Sequence, residues 1–290
     1  MFVYVNGKIV SSQDAVVSVF DHGLLYGDGI YETMLAYNRV IFKLDEHLNR
    51  LYRSASLIGL KIPLDINRLK TALYETLVAN DLMNAYVRLT VSRGSGPIGL
   101  NPELCPEPTI IIMVQESKEY PGTLYEKGVN LIISETRRNL KEAINPLIKS
   151  LNFLNNILAK IEAIKKNAYE AIMLNAHGQL TEATISNVFF IKDNILCTPS
   201  IECGILDGIT RGTVIDLARR ENIKVNEGKF TKEDIYSANE VFITNTSLEV
   251  MPVSKVDDTR YPVGYITKRL HKSYKQEVKA YIESRKAKSS

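Results

Sequence analysis

The stretch that most restricts the fold is Asn145-Pro146-Leu147-Ile148-Lys149-Ser150-Leu151-Asn152, followed by Phe153, Leu154, Ile157, Leu158, Ile161 and Ile164. Pro146 disfavours helical geometry at Asn145, so the chain reaches Lys149 extended or turned. Beyond the lysine the apolar residues recur at helical spacing, while Asn155, Asn156, Lys160, Lys165 and Lys166 fall mostly on the other side. The pattern predicts a buried helix starting just after Lys149, with the lysine near a strand or loop end at its mouth. Burial lowers a lysine's pKa and frees the neutral amine for Schiff-base chemistry with a carbonyl compound. Taken alone, a lysine in such a stretch is more commonly a solvated surface residue.

The rest of the chain interleaves two periodicities. Asn6-Gly7 joins two short apolar runs, the strongest short hairpin signal. Strands are predicted over 15–20, 30–37 and 40–42, and the glycine-rich 21–29 between the first two reads as a loop. A helix over 45–58 carries the stripe Leu44, Leu48, Leu51, Ala55 and Ile58, with Arg50 on its flank and Arg53 opposite. A second helix covers 66–80. Residues 86–93 alternate as a strand that puts Tyr86 and Arg88 on one face, and 109–115 is an apolar strand. Residues 116–127 are polar and turn-rich.

Further strands are predicted over 129–134, 171–174, 188–191, 195–198, 240–244 and 249–256. Gly204 to Arg211 leads into a helix, and a last helix over 265–284 carries Ile266, Leu270, Tyr274, Val278 and Tyr281 on one stripe. This order predicts an α/β (α+β) protein with a smaller N-terminal α/β domain over 1–115, a connection over 116–127 and a larger C-terminal domain over 128–290. The polar tail from Ser284 to Ser290 is expected to fray.

Composition narrows the function. A net charge of +3, dispersed along 290 residues, gives no footprint for nucleic acid. There is no apolar run long enough to span a membrane and no charged-then-apolar leader, which points to the cytoplasm. Cys105, Cys197 and Cys203 are odd in number and suit a reducing compartment. The four histidines are scattered, so no zinc site is expected.

Several motifs in one order carry a family resemblance. They are Asp21-His22-Gly23-Leu24-Leu25-Tyr26-Gly27-Asp28-Gly29-Ile30-Tyr31-Glu32, His47-Leu48-Asn49-Arg50-Leu51, the Lys149 stretch, Leu180-Thr181-Glu182-Ala183-Thr184, Gly208-Ile209-Thr210-Arg211 and Thr244-Asn245-Thr246-Ser247-Leu248. Over roughly residues 2 to 283 the chain resembles the class IV (fold-type IV) pyridoxal-phosphate enzymes, which include branched-chain and D-amino-acid aminotransferases and 4-amino-4-deoxychorismate lyases.

The resemblance implies pyridoxal 5′-phosphate as cofactor, with Lys149 as its covalent anchor and the catalytic acid and base. Glu182 would face the pyridine nitrogen, keeping it protonated so that the ring can accept a carbanion's electrons. Arg50, Ile209, Thr210 and Thr246 would hold the phosphate, Arg50 through its fork of donors and Ile209 and Thr210 at a helix N-terminus. Tyr31, Thr33, Tyr86, Arg88 and Ser247 would line the substrate, Ser247 through its backbone. A homodimer is implied as well.

The branches differ on the substrate side. Tyr86-Val87-Arg88 resembles the branched-chain pattern, although Thr33, Met34 and Leu35 replace that group's usual Gly-Ile-Arg and Phe153 stands in place of a tyrosine. Thr33 and the Asn245 loop resemble the lyases. Tyr31 is found in D-amino-acid aminotransferases, yet Ile98 and Leu100 replace that branch's arginine and histidine. The expectation is an aminotransferase acting between an aliphatic, branched-chain-like amino acid and a 2-oxo acid, with the lyase as alternative and the D-amino-acid enzyme third.

Overall fold

The structure is a computed structural model, described for residues 1–287. It divides into two compact units. The first holds Met1–Lys118, Ile148–Asn152 and the chain from Tyr281; the second holds Glu119–Leu147 and Phe153–Ala280. The sequence expectation of a continuous 128–290 segment therefore differs at two points, of which the five residues around Lys149 bear on function.

In the first unit, β1 (Phe2–Val5), β2 (Lys8–Ser11), β3 (Gly29–Tyr37), β4 (Val40–Ile41), β5 (Ala85–Ser92) and β6 (Thr109–Glu116) form an antiparallel sheet in the order β2-β1-β6-β5-β3-β4. Alternation sorts its faces. Ala85, Val87, Leu89 and Val91 of β5 are buried, whereas Tyr86, Arg88 and Thr90 are half-buried. The buried face packs against α2 (Leu44–Leu57) and α3 (Ile66–Ala79), whose Leu48, Leu51, Leu69 and Leu73 join Met34, Val87, Leu89 and Ile112 in one core. Ile30, Glu32, Met34 and Ala36 point from β3 into that core, and Tyr31, Thr33 and Leu35 point the other way.

The second unit is built on a nine-stranded mixed sheet of β7 (Val129–Ile133), β8 (Glu170–Leu174), β9 (Leu180–Ala183), β10 (Asn187–Lys192), β11 (Ile195–Pro199), β12 (Val225–Gly228), β13 (Glu240–Asn245), β14 (Glu249–Val256) and β15 (Thr259–Arg260). Its helices are α4 (Gly122–Lys127), α5 (Leu154–Lys165), α6 (Ile209–Arg220), α7 (Lys232–Tyr236) and, as far as Ala280, α8 (Tyr265–Lys286). β8 and β13 are buried along nearly their whole length, as strands covered on both faces must be. Among the described residues, no helix is long and apolar enough to cross a membrane.

Several expectations are corrected. Residues 15–20 form no strand: they are coil and turn, with Val16, Val19 and Phe20 exposed. Their β-branched composition favours extension, but a strand needs an edge to pair with. The loop over 21–29 contains α1 (His22–Tyr26), capped by Asp21 and ended by Gly27 in the left-handed region at φ 69°. The connection over 116–127 is β6 up to Glu116 and then α4. Glu182 lies in β9, a strand that the predicted set leaves out.

The helix after Lys149 is present but not buried. α5 buries only Ala159 and Ala163, which pack on Ile132, Ala171 and Met173, while Leu154, Ile157, Leu158, Ile161 and Ile164 are exposed. Two small residues four apart let the helix sit close to the sheet, so the sheet takes the alanine face and leaves the larger residues outside. In α8 the buried stripe is Leu270, Tyr274, Val278 and Ile282, with Tyr281 half-buried. The helix continues to Lys286, so the tail is ordered further than expected; residues 288–290 lie outside the described residues.

Candidate active site

In the first unit the half-buried sheet face becomes a cluster because residues 148–152 run beside the start of β3. Tyr31 N–H donates to Lys149 O at 2.9 Å, Leu151 N–H donates to Gly29 O at 2.9 Å, and Ser150 bridges Ile30. A Cβ on Gly29 would lie 2.7 Å from Leu151 Cδ1 and 2.8 Å from Val91 O, so only glycine lets the segment approach. Asp21 braces the loop by accepting from Gly23 N, Ser92 Oγ and Thr109 Oγ1, and Asp28 accepts both arms of Arg93 at 2.9 and 3.0 Å. The backbone turns tightly at Lys149, where Ser150 N–H donates to Ile148 O at 2.9 Å, and the lysine side chain lies against Tyr31 while Ile148 packs on the core.

There Lys149 Nζ donates to Tyr31 Oη at 3.2 Å and lies 4.4 Å from the ring centroid. Arg88 Cζ stacks over the same ring at 4.0 Å. Thr33 lies opposite Arg88 in the β3–β5 register, and its Oγ1 is 3.4 Å from Tyr86 Oη. Tyr31, Thr33, Tyr86, Arg88 and Lys149 therefore converge, with two cations flanking an aromatic ring whose face attracts them.

Helix α2 serves the same unit. Ser54 Oγ accepts from Lys149 N–H at 3.2 Å. One turn earlier Arg50 is buried, and Arg53 is exposed, as the helical phase requires. Arg50 forks onto Glu32 through Nε and Nη2, both at 2.7 Å, and His47 Nδ1 meets the same carboxylate at 2.7 Å. Burial would raise Glu32, but Arg50 and then His47 outweigh it and hold the carboxyl at about 2. Burial dominates at His47 and lowers its pKa. An ionised carboxylate only accepts, so neutral His47 carries its proton on Nδ1.

In the second unit Glu182 is buried in β9, accepting from Arg138 Nε and Leu206 N–H, each at 2.9 Å, with Asn187 Nδ2 at 3.4 Å. Asn187 also donates to Leu206 O at 3.0 Å, and a Cβ on Gly208 would strike Asn187 Oδ1 at 2.0 Å. Gly208 starts α6 with no side-chain cap, and Thr210 in the first turn is buried and bonded to Tyr274. Ile209 is half-buried beside it.

The β13–β14 turn is held by Asn245, which donates to Ser186 Oγ at 3.0 Å and accepts from Ser247 N–H at 2.9 Å and Leu248 N–H at 2.7 Å. Glu182, the α6 start and Thr246 with Ser247 are thus gathered around Ser186-Asn187. The Ser247 amide assigned to substrate is engaged by Asn245.

Residues that the sequence reading left without a role are Glu32, His47, Ser54, Arg138 and Asn187. Glu32 had a signal: a lone carboxylate on the core side of β3, between Ile30 and Met34, requires a buried cation, and His47 and Arg50 stand three apart on one helix face. Arg138 lies in an irregular segment whose sequence carries no period.

The family model for Amino-transferase class IV matches residues 29–256. Over 278 residues the chain is 44% identical to a putative branched-chain-amino-acid aminotransferase of Methanocaldococcus jannaschii, covering 95% of this chain and 96% of that one. It is 38% identical to a D-alanine aminotransferase of Staphylococcus epidermidis, covering 97% and 98%, and 35% identical to an aminodeoxychorismate lyase of Bacillus subtilis, covering 98% and 97%. Among solved structures, the branched-chain aminotransferase of the thermophilic archaeon Thermoproteus uzoniensis with norvaline superposes with a TM-score of 0.92 at 32% identity, covering 98% of this chain and 96% of that one. The glycine-braced strand, the lysine pinned beside it and this near full-length likeness lead to one conclusion: the chain belongs to the class IV aminotransferases, a pyridoxal-phosphate-dependent family with the fold-type IV architecture.

Proposed function

We propose that the protein transfers an amino group between an aliphatic, branched-chain-like amino acid and a 2-oxo acid, with Lys149 as the catalytic amine. The observation that carries this reading is the Arg88–Tyr31–Lys149 stack, which sets a fixed guanidinium beside the reactive amine's own tyrosine. The donor set fits pyridoxal 5′-phosphate. Lys149 offers a primary amine to its aldehyde, and Glu182, both of whose oxygens are fixed as acceptors by Arg138 and Leu206, suits the pyridine N–H. Arg50 in the first unit, and Thr246 with the uncapped α6 start at Ile209 and Thr210 in the second, are each chemically suited to a phosphate. When bound, the cofactor supplies an electron-accepting ring.

The chain's own groups do the rest. Lys149 Nζ takes the proton from Cα of the amino donor and, in the reverse half-reaction, delivers a proton to Cα of the 2-oxo acid, and Tyr31 Oη holds that nitrogen in place. Arg88 binds a substrate carboxylate, and Thr33 and Tyr86 border it on the same sheet face. Ile98 and Leu100, exposed and apolar, offer no carboxylate partner of the kind a D-amino-acid enzyme carries there.

Arg88→Ala should lower kcat/KM for aliphatic amino acids by about 10-fold or more, the size of a lost charged hydrogen bond, while the cofactor spectrum stays intact. Assays should include aminodeoxychorismate and Thr33→Ala. Rapid pyruvate release that is lost in Thr33→Ala, with negligible amino transfer, would favour the lyase and sink the aminotransferase reading.

The proposed partner is a second copy of this chain. The exposed α5 row of Leu154, Ile157, Leu158, Ile161 and Ile164 is a contiguous apolar face, not a scatter of single residues, and such faces mark protein contacts. Sedimentation should give a dimer, and Ile157→Asp with Ile161→Asp should give monomer. A wild-type monomer at micromolar concentration would refute the dimer.

A further inference from the structure

Glu32 has no place in the reaction just described, yet it is fully buried and takes up part of the one arginine assigned to the cofactor phosphate. Its position follows from β3: Tyr31 faces Lys149, so its neighbour Glu32 must face the core, where α2 presents His47 and Arg50 three residues apart. The carboxylate meets Nε and Nη2 of Arg50 in a two-point fork and shares Oε2 with His47 Nδ1, all at 2.7 Å. Two parallel bonds to a planar guanidinium fix its plane as well as its location, so the direction of the Nη1 end is set by Glu32. His47 in turn fixes the carboxylate, and neither helix nor strand can shift without breaking a bond that is buried on both sides.

We propose that Glu32, steadied by His47, is a positioning residue that aims Arg50 at the phosphate of the cofactor. The proposal rests on the reading of Arg50 as a phosphate ligand, and it makes a prediction of sign that charge alone does not. A carboxylate beside Arg50 cancels part of the arginine's attraction for an anion, so if charge governed binding, removing Glu32 would tighten the hold on phosphate. If orientation governs, removing it loosens that hold although the local charge becomes more positive. The low carboxyl pKa agrees with an anion present throughout the neutral range.

The test is titration of the full-length apoprotein with pyridoxal phosphate and, separately, with pyridoxal, which has the same ring and aldehyde but no phosphate. The ratio of the two affinities isolates what the phosphate contacts contribute. Glu32→Gln should reduce that ratio about 10-fold or more, Arg50→Ala should reduce it at least as much, and Arg53→Ala should leave it unchanged. Glu32→Gln combined with Arg50→Ala should be no worse than Arg50→Ala alone, because Glu32 acts only through that arginine. His47→Gln, which keeps the ion pair, is the variant to use if Glu32→Gln does not fold, and it should reduce the ratio in the same direction by less.

An unchanged or increased ratio in Glu32→Gln, or in His47→Gln where that variant stands in, would overturn the proposal. So would a loss of pyridoxal affinity equal to the loss for pyridoxal phosphate, or additive effects in the double variant. An unchanged ratio in Arg50→Ala would instead refute the phosphate reading on which the proposal stands.

Discussion

Lys149→Ala is expected to abolish both covalent capture of pyridoxal phosphate and amino transfer. The amine sits on backbone bonded into β3, its N–H is held by Ser54 and its Nζ by Tyr31, so its place is fixed at three points. Removing a positioned proton-transfer group alone costs on the order of 10²–10⁴ in rate, and here the covalent anchor goes with it. Two other lysines are committed elsewhere: Lys160 Nζ donates to Tyr169 O and Lys275 pairs with Glu249. Borohydride reduction of the holoenzyme followed by peptide mapping should label Lys149. A label on any other lysine, or turnover surviving in Lys149→Ala, would remove the basis of the assignment.

Acid should destabilise the protein through Glu32, and the sign follows from its depressed pKa. Folding lowers the carboxyl from 4.5 to about 2, so the stability it contributes is present above 4.5 and is lost as pH falls toward 2. At roughly 1.4 kcal/mol per pH unit the whole contribution is on the order of 3 kcal/mol, most of it gone by pH 3. His47, whose burial also lowers its pKa, acts in the same direction, since stability is lost as it charges on acidification. Glu170 acts in the opposite direction: burial raises its pKa, so its contribution is present below the ordinary carboxylate value and is lost as pH rises through the folded one. The informative quantity is therefore a difference. Urea unfolding between pH 6 and pH 3 should show a steeper loss in wild type than in Glu32→Gln. Parallel curves would mean that Glu32 titrates alike in the folded and unfolded chain.

Much of the frame was legible because period and turn chemistry agree with it. β5 alternates, α2 carries an unbroken stripe, and Asn6-Gly7 adopts the positive φ that tight hairpins need. The errors share a cause. Residues 15–20 and the apolar row on α5 have strong intrinsic patterns, but pattern states only that a face is apolar, not what covers it. On α5 two alanines meet the sheet and the leucines and isoleucines do not.

The candidate site divides in the same way. The inward side of Arg50 was legible from helical phase and the common face of Tyr86 and Arg88 from strand alternation, because both periods are local, whereas their roles came from the family resemblance. Stacking of Arg88 on Tyr31 depends on the register of β3 against β5, and the bonds from Arg138 and Leu206 to Glu182 depend on irregular chain. Neither is encoded at short range. Glu32 was recoverable in principle, since a core-facing carboxylate in an apolar strand implies a buried partner.

The central claim is amino transfer from an aliphatic amino acid, and a single-turnover panel tests it most directly. Holoenzyme is mixed with one amino donor at a time, in both hands, and scored by loss of the absorbance of the lysine-bound cofactor and by appearance of the matching 2-oxo acid. The account predicts fast conversion with branched-chain and other small aliphatic donors, reversed by adding 2-oxoglutarate or pyruvate. No conversion with any aliphatic donor of either hand, alongside rapid pyruvate release from aminodeoxychorismate, would contradict it.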